Sequence, residues 1–196
     1  MILHGADPTT QPSFSLRNRV ARGVWELAWL LLFRPSPRTF HAWRRLLLRL
    51  FGATLGEHVN VYPGARIWAP WQLVMGDRVI VGNMANIYNM APIFIGSGCV
   101  ISQGAHLCAG SHDIDSPNFQ LITRPIVLEP DVWICTEAFV GPGVSIPSGC
   151  VIGARSVITR SVKEPWSVWV GNPASLKRYR TANRGCGQAH PAAAGE

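Results

Sequence analysis

The sequence predicts a mainly β protein, a left-handed parallel β-helix of about five coils with a helical segment before it and a short extension after it. It shows a six-residue aliphatic repeat, 19 Gly and 15 Pro spread along 196 residues, and apolar residues at helical spacing upstream. Coils with such a repeat bury one continuous core by stacking. We divide the chain into an N-terminal helical segment (1–54), a β-helix (55–163), a C-terminal extension (164–184) and a tail (185–196) whose composition predicts disorder.

The repeat defines the frame of the β-helix. Aliphatic residues open six consecutive hexapeptides between residues 128 and 158, and a small or compact residue follows each by four positions. The frame continues upstream, where Trp71 is a misfit among the compact companions and Ser111 is the last of them. Three hexapeptides make one coil of a triangular prism. Coils therefore start at residues 55, 75, 95, 128 and 146, with insertions of 2, 2, 15 and 0 residues between them.

The cysteines fit this frame as packing residues. Cys99 and Cys150 fall on inward companion positions, and Cys108 and Cys135 lie beside the aliphatic position. Five cysteines without a Cys-x-x-Cys pair predict reduced thiols rather than a disulfide framework or a zinc site. Nothing in their spacing indicates a nucleophile.

The N-terminal segment carries the basic charge. The formal net charge is +7, and residues 1–52 hold eight arginines against Asp7 and Glu26. Aromatic residues and leucines at helical spacing predict one helix over 22–33 and a second after Pro37. Two roles stay open: capping the first coil, or peripheral membrane contact through residues 20–51. The apolar run at 24–33 is too short to span a bilayer, and no signal peptide is evident. We expect a cytoplasmic protein, with the inner membrane face as an alternative location, and no nucleic-acid partner.

The long insertion is the strongest functional signal. A predicted loop over 113–127 begins directly after His112. Long loops on a rigid scaffold tend to carry function, and an imidazole can accept and return a proton near neutral pH. Asp113 or Asp115 could orient this imidazole, or could bond its own backbone.

Several motifs resemble those of hexapeptide-repeat acetyltransferases over residues 20–180. They are Ser111-His112-Asp113, Val132-Trp133-Ile134, Val140-Gly-Pro-Gly-Val144 and Gly171-Asn172-Pro173-Ala174. Segments 87–93 and 107–113 are most similar to the colanic acid biosynthesis branch. The resemblance implies a homotrimer that binds acetyl-CoA between neighbouring prisms and acetylates a hydroxyl of a sugar or lipid-linked glycan in surface-polysaccharide biosynthesis, with no metal.

The resemblance also implies site residues. His112 would be the catalytic base, and the substrate-binding set would be Tyr88, Asn89, Asp113 and Trp133, for which packing or loop roles remain open. The positions that correspond to contacts with CoA are Ala154, Thr159, Arg160, Gly171, Asn172, Pro173, Ala174 and Arg178.

Three alternatives remain. The acceptor could be a small soluble molecule such as a free sugar, serine or an antibiotic, or the β-helix could be a non-catalytic scaffold. A γ-type carbonic anhydrase shares the prism but needs three histidines on a metal. His106 and His112 fall on successive faces, and His58 lies far down the axis, so this third alternative is disfavoured.

Overall fold

In the computed structural model, which describes residues 11–181, three parallel sheets form the sides of a triangular prism. We number the faces in the order in which a coil crosses them. The first face contains β1 (Thr54–Leu55), β4 (Leu73–Met75), β7 (Ile93–Ile95), β12 (Ile126–Leu128) and β15 (Ser145–Ile146). The second contains β2 (Asn60–Val61), β5 (Ile80–Val81), β8 (Val100–Ile101), β13 (Trp133–Ile134), β16 (Val151–Ile152), β18 (Ser167–Val170) and β19 (Ser175–Tyr179). The third contains β3 (Arg66–Ile67), β6 (Asn86–Tyr88), β9 (His106–Cys108), β14 (Phe139–Val140) and β17 (Val157–Ile158).

The strand register confirms the predicted coils. Residues 55, 75, 95, 128 and 146 stand in one column of the first face. The aliphatic residues of the repeat are at most 9% exposed, as the inward assignment requires. β18 adds a sixth parallel strand to the second face, and β19 returns antiparallel to it, so the described part of the C-terminal extension, 164–181, contains a hairpin. The tail predicted over 185–196 lies outside the described residues.

Ser111 departs from the predicted frame. We expected it to face inward, but Ser111 is exposed and Ala109 takes the inward place. The chain leaves the prism at Gly110, where a Cβ would lie 2.5 Å from the Met90 sulfur, so this corner needs glycine. Trp71, the expected misfit, lies in a 3₁₀ turn at Pro70–Gln72 formed by the first two-residue insertion, and Ala69 fills the core instead.

Two helices cover the open first coil. α1 (Leu16–Ala28) starts at Ser15, whose hydroxyl accepts from the Asn18 amide, and it continues as one π-helical turn, Trp29–Phe33. α2 (His41–Leu50) follows. Trp25, Phe33 and Leu48 are essentially buried within the same core as the coil residues. The helices therefore act as a cap, one of the two roles expected for this segment.

Carbonyl oxygens at the open end of the first coil explain the composition of this cap. Bonds between neighbouring coils run in both directions, as when the Asn60 N–H donates to the Val79 carbonyl and the Arg78 N–H to the Glu57 carbonyl, and the first coil has carbonyl oxygens that no earlier coil can pair. Tryptophan and arginine side chains only donate hydrogen bonds. The bonds are Trp25 Nε1 to Ile67 O (2.6 Å), Trp29 Nε1 to Ala65 O (2.9 Å), Arg44 Nε to Val61 O (2.6 Å) and Arg45 Nη1 to Val59 O (2.9 Å). The cap thus satisfies a sheet edge that would otherwise pair with another chain.

Arg44 is the centre of this arrangement. It is fully buried, and its guanidinium also donates to the Ser36 hydroxyl and to the Pro37 and Arg38 carbonyls, at 2.6 to 2.8 Å. No carboxylate of the described residues pairs with it. Burial lowers the pKa of Arg44, as expected for a buried cation without a carboxylate partner.

Candidate active site

His112 lies on a hairpin at the edge where the third face turns into the first. β10 (Gly110–His112) pairs antiparallel with β11 (Leu121–Thr123), opposing His112 to Leu121. The chain then rejoins the first face at Ile126. The segment predicted as a loop over 113–127 is thus a short turn followed by two strands, and the hairpin fixes the backbone of His112 to the prism.

The turn also orients the imidazole. His112 Nδ1 lies 2.8 Å from the Phe119 carbonyl oxygen, and the two rings stack 4.3 Å apart with their planes within 10°. A carbonyl only accepts, so Nδ1 carries the hydrogen and the neutral ring has its lone pair on Nε2. Asp113 does not orient the ring in this structure, because its carboxylate accepts from the Asp115 amide at 3.1 Å, an Asx turn. Phe119 is not among the residues predicted for the site, because no sequence motif indicates it.

Tyr88 lines a cavity of about 730 Å³ between α1 and the third face, one coil below the hairpin. Its ring is edge-on to Trp68 at 6.0 Å, and the Arg22 guanidinium lies 4.4 Å from the centre of the Trp68 ring. Burial, followed by the nearby Cys108, raises the pKa of Tyr88, while Arg22 opposes this. Arg19 and Asn86 also line the cavity, so it presents aromatic faces beside hydrogen-bond donors.

Asn89 has a structural place. Its side chain is fully buried, its amide oxygen accepts from the Ala69 N–H at 3.0 Å, and its amide nitrogen donates to the Ala69 carbonyl at 2.6 Å. The side chain therefore braces a coil corner and presents no accessible surface to a ligand. We accordingly correct the expected substrate contact for Asn89.

Trp133 and Arg178 lie on the second face. The register places them in one column through Val151 and Val168. Both line a groove of about 440 Å³, and the Trp133 indole is anchored on the Ser102 hydroxyl at 2.9 Å. In a triangular prism the second face lies opposite the edge that carries His112. One chain therefore does not bring Trp133 and His112 together.

The expected CoA contacts fall on two edges. Thr159 and Arg160 follow β17 at the edge that carries His112, where Thr159 stacks on Gly141. Ala154 and the turn 171–174 lie at the edge between the second and third faces. The Ser156 hydroxyl accepts from the Gly171 N–H at 3.0 Å, and the Ala174 N–H donates to the Val157 carbonyl at 2.8 Å. The third face, roughly 20 Å wide for six residues, separates the two groups.

The remaining histidine and cysteine chemistry is that of packed groups. Burial lowers the pKa of His106, whose Nε2 lies 3.3 Å from the Asn86 amide nitrogen. Cys99, Cys108, Cys135 and Cys150 are free thiols, and burial raises the pKa of Cys99 to about 12. Over residues 11–181, no group of three or more His, Cys, Asp or Glu is arranged to hold a metal ion. Within the same range, no helix is long and apolar enough to cross a membrane.

Comparisons with known proteins agree with this geometry. No protein-family model matches the chain. It is 41% identical over 163 residues to the Escherichia coli (strain K12) protein WcaF, assigned as a colanic acid biosynthesis acetyltransferase, covering 83% of this chain and 89% of that protein.

Solved structures show the same fold. The complex of a Vibrio cholerae hexapeptide-repeat acetyltransferase with acetyl-CoA has a TM-score of 0.72 and 26% identity, covering 83% of this chain and 87% of that one. A maltose O-acetyltransferase from Clostridium difficile has a TM-score of 0.77 at 22% identity, and the match covers 84% of this chain and 89% of that one. This similarity supports the fold alone. The chain belongs to the hexapeptide-repeat acetyltransferase family and is an acyltransferase that uses acetyl-CoA.

Proposed function

We propose that this protein transfers the acetyl group of acetyl-CoA to a hydroxyl of a sugar in the biosynthesis of an exopolysaccharide or other surface glycan. The observation that carries the proposal is the His112 ring, whose Nδ1–H is held by the Phe119 carbonyl so that Nε2 can act as a base. The similarity to a relative assigned to colanic acid biosynthesis supports a polysaccharide acceptor.

The chemistry follows from this tautomer. Nε2 of His112 accepts the proton of the acceptor hydroxyl while its oxygen attacks the thioester carbonyl, and a tetrahedral intermediate forms. The C–S bond then breaks, the acetyl group remains on the acceptor oxygen, and the imidazolium returns the proton to the departing thiolate. The Phe119 carbonyl stabilises the imidazolium because Nδ1 keeps its hydrogen throughout.

We also propose that the complete site forms between copies in a homotrimer. Ile80, Val100 and Trp133 form an outward apolar column on the second face, with Ile80 37% and Trp133 45% exposed. Covering such a surface is favourable. A three-fold ring that packs this face against the His112 edge of the next copy is a closed head-to-tail arrangement. It would place Trp133 and Arg178 of one copy beside His112 of another, with acetyl-CoA between them.

The cavity beside Tyr88 is our candidate for acceptor binding. It lies on the same side of the prism as the hairpin, and the Ala109 N–H donates to the Tyr88 carbonyl at 3.0 Å. The Tyr88 and Trp68 rings offer apolar faces to a sugar ring, and Asn86 offers an amide. Asp113, at the hairpin tip, remains a second candidate contact.

The test is His112→Ala, with His58→Ala as the matched control at an exposed corner of the first coil, between the first and second faces. Release of CoA thiol is measured against a panel of sugars, glycans and lipid-linked sugars, with serine and chloramphenicol as small acceptors. We expect His112→Ala to lose a factor of about 10² to 10⁴ in turnover, with unchanged acetyl-CoA binding and a trimeric mass by light scattering. Normal turnover by this variant would refute the role of His112, and turnover with serine or chloramphenicol alone would refute the sugar acceptor.

A further inference from the structure

The cap has an outer surface that the prism does not cover. Leu16, Val20, Val24 and Leu27 of α1 are 71%, 57%, 55% and 58% exposed. Viewed down the helix axis at about 100° per residue, these four residues lie within a sector of about 80°. Trp25, which packs on the core, lies about 180° from Leu16. α1 therefore buries one apolar stripe and exposes another. We call this exposed stripe, with its continuation below, the outer cap surface.

The π-helical turn and α2 extend this surface. Leu31 is 60% exposed, and Trp43, Leu46 and Leu50 are 38%, 48% and 71% exposed. The Trp43 indole donates to the Leu32 carbonyl at 3.0 Å, which joins the apolar side of α2 to the turn that follows α1. The outer cap surface thus comprises exposed apolar residues of α1, the π-helical turn and α2, with this bond joining α2 to the turn.

Arginines border the apolar area. Arg17 and Arg19 are exposed on α1, at about 100° and 300° from Leu16, so they stand on either side of the stripe. Arg34 is exposed where the π-helical turn ends. Glu26 is the sole acidic residue between 11 and 52, and its carboxylate pairs with Arg66 at 3.2 Å. The border is therefore cationic with little compensating charge.

We propose that the outer cap surface docks on an anionic lipid bilayer, with its apolar stripe at the acyl boundary and its arginines at the lipid phosphates. An apolar face with a basic border is the pattern of a helix that lies in the membrane interface. Two copies meeting through this surface would bring the arginine borders together, and repulsion disfavours that pairing. Charge complementarity thus selects the anionic bilayer over a second copy.

This orientation bears on the acceptor. Leu16 and Val20 belong to the outer cap surface and also line the cavity that holds Tyr88. The cavity therefore opens beside the docked surface. A lipid-anchored sugar would then reach the cavity without leaving the bilayer. This step, unlike the docking itself, rests on the proposed function.

The test is co-sedimentation of the full-length protein with vesicles of phosphatidylcholine, with and without 30% phosphatidylglycerol. We expect binding to the anionic vesicles that weakens between 0.1 and 0.5 M salt. Leu27→Gln/Leu31→Gln should lower the partition coefficient by roughly a hundredfold, since each leucine contributes about tenfold. Arg17→Gln/Arg19→Gln should lower it by about 25-fold, at about fivefold per arginine. Met84→Gln, at a 68% exposed methionine on the side of the prism, is the matched control and should bind as wild type.

Two outcomes would overturn the proposal: no sedimentation with anionic vesicles, or wild-type binding by the Leu27/Leu31 variant. If the wild-type protein does not bind vesicles, and the Leu27→Gln/Leu31→Gln variant has a lower mass than wild type by light scattering, this surface binds a second copy instead. Circular dichroism melting confirms that each variant is folded. The assay contains neither acetyl-CoA nor acceptor, so its failure is distinct from a failure of the proposed function.

Discussion

Cys99 should make the stability of the protein depend on pH in the alkaline range. The thiol is fully buried at an inward position of the third coil and donates to the Glu129 carbonyl at 3.1 Å. Burial, with a smaller contribution from Asp131, raises the pKa of Cys99 from 9.0 to about 12. Below pH 9 both states keep the proton, and this group has no effect. Between pH 9 and 12 only the unfolded chain loses the proton, so the free energy of unfolding falls as the pH rises.

The magnitude follows from the two values. A pH of 10 is about one unit above the pKa of Cys99 in the unfolded chain, whereas the folded thiol stays protonated. Cys99 therefore lowers the free energy of unfolding by about 1.4 kcal/mol at this pH. Cys99→Ala removes this contribution. The cost of the lost packing is the same at pH 7.5 and pH 10. The gap, the difference in free energy of unfolding between wild type and variant, should therefore shrink by about 1.4 kcal/mol from pH 7.5 to pH 10.

Urea unfolding followed by tryptophan fluorescence measures this gap, at one fixed protein concentration because assembly also contributes. Cys135, Cys150 and Tyr88 also have raised pKa values, but they shift wild type and variant equally. Cys99→Val, which refills the space, should show the same change with pH. A gap that is equal at pH 7.5 and pH 10 would refute the assignment of a protonated, buried thiol.

Three further substitutions probe the site, a corner and the cap. Phe119→Ala should lower kcat about tenfold at saturating acetyl-CoA, because the ring that stacks on His112 is lost. Phe119→Tyr keeps the stack and should keep the wild-type rate, and a wild-type rate for Phe119→Ala would contradict the orienting role. Gly149→Ala should lower the free energy of unfolding, measured by thermal melting, by more than about 2 kcal/mol, because φ is +71° and a Cβ would lie 2.3 Å from the Trp166 ring. Gly141→Ala, where the nearest atom to a Cβ is at 3.4 Å, should lower it by less than about 1 kcal/mol. Arg44→Leu should cost about 3 kcal/mol because it leaves buried carbonyls without a donor, and a variant as stable as wild type in urea would contradict this.

The fold was predictable because the hexapeptide spacing directly identifies inward positions. Each coil repeats the frame, so the coil starts and the position of the long insertion follow from counting. The corners were less predictable. Gly98 and Gly104 have positive φ as their sequence suggests, but His58, Arg78 and Met84 adopt the same left-handed conformation without glycine. Arginine and methionine have no preference for that conformation, so their identity does not indicate it.

The candidate site was predictable only in part. His112 could be found because it precedes the one long insertion, whereas the Phe119 contact uses a backbone carbonyl, a group that every residue carries. Asn89 shows the opposite error. An asparagine beside a tyrosine suggests hydrogen bonds to a ligand, but its burial depends on how one corner stacks on the corner below. Sequence separates these cases poorly because it identifies side chains and not the surface they face.

The cap shows why net charge alone is a poor guide to a partner. Of the eight arginines before residue 53, Arg44, Arg45 and Arg49 donate to carbonyls in or beside the first coil, and Arg22 and Arg38 lie over the Trp68 and Tyr62 rings. Carbonyl oxygens at the open end of the first coil need hydrogen-bond donors, and the first three of these arginines supply them whether or not a partner exists. The charge that is free to attract an anionic surface is therefore a minority of the basic segment. Its position on both sides of an exposed apolar stripe, and not its total, is what indicates a bilayer.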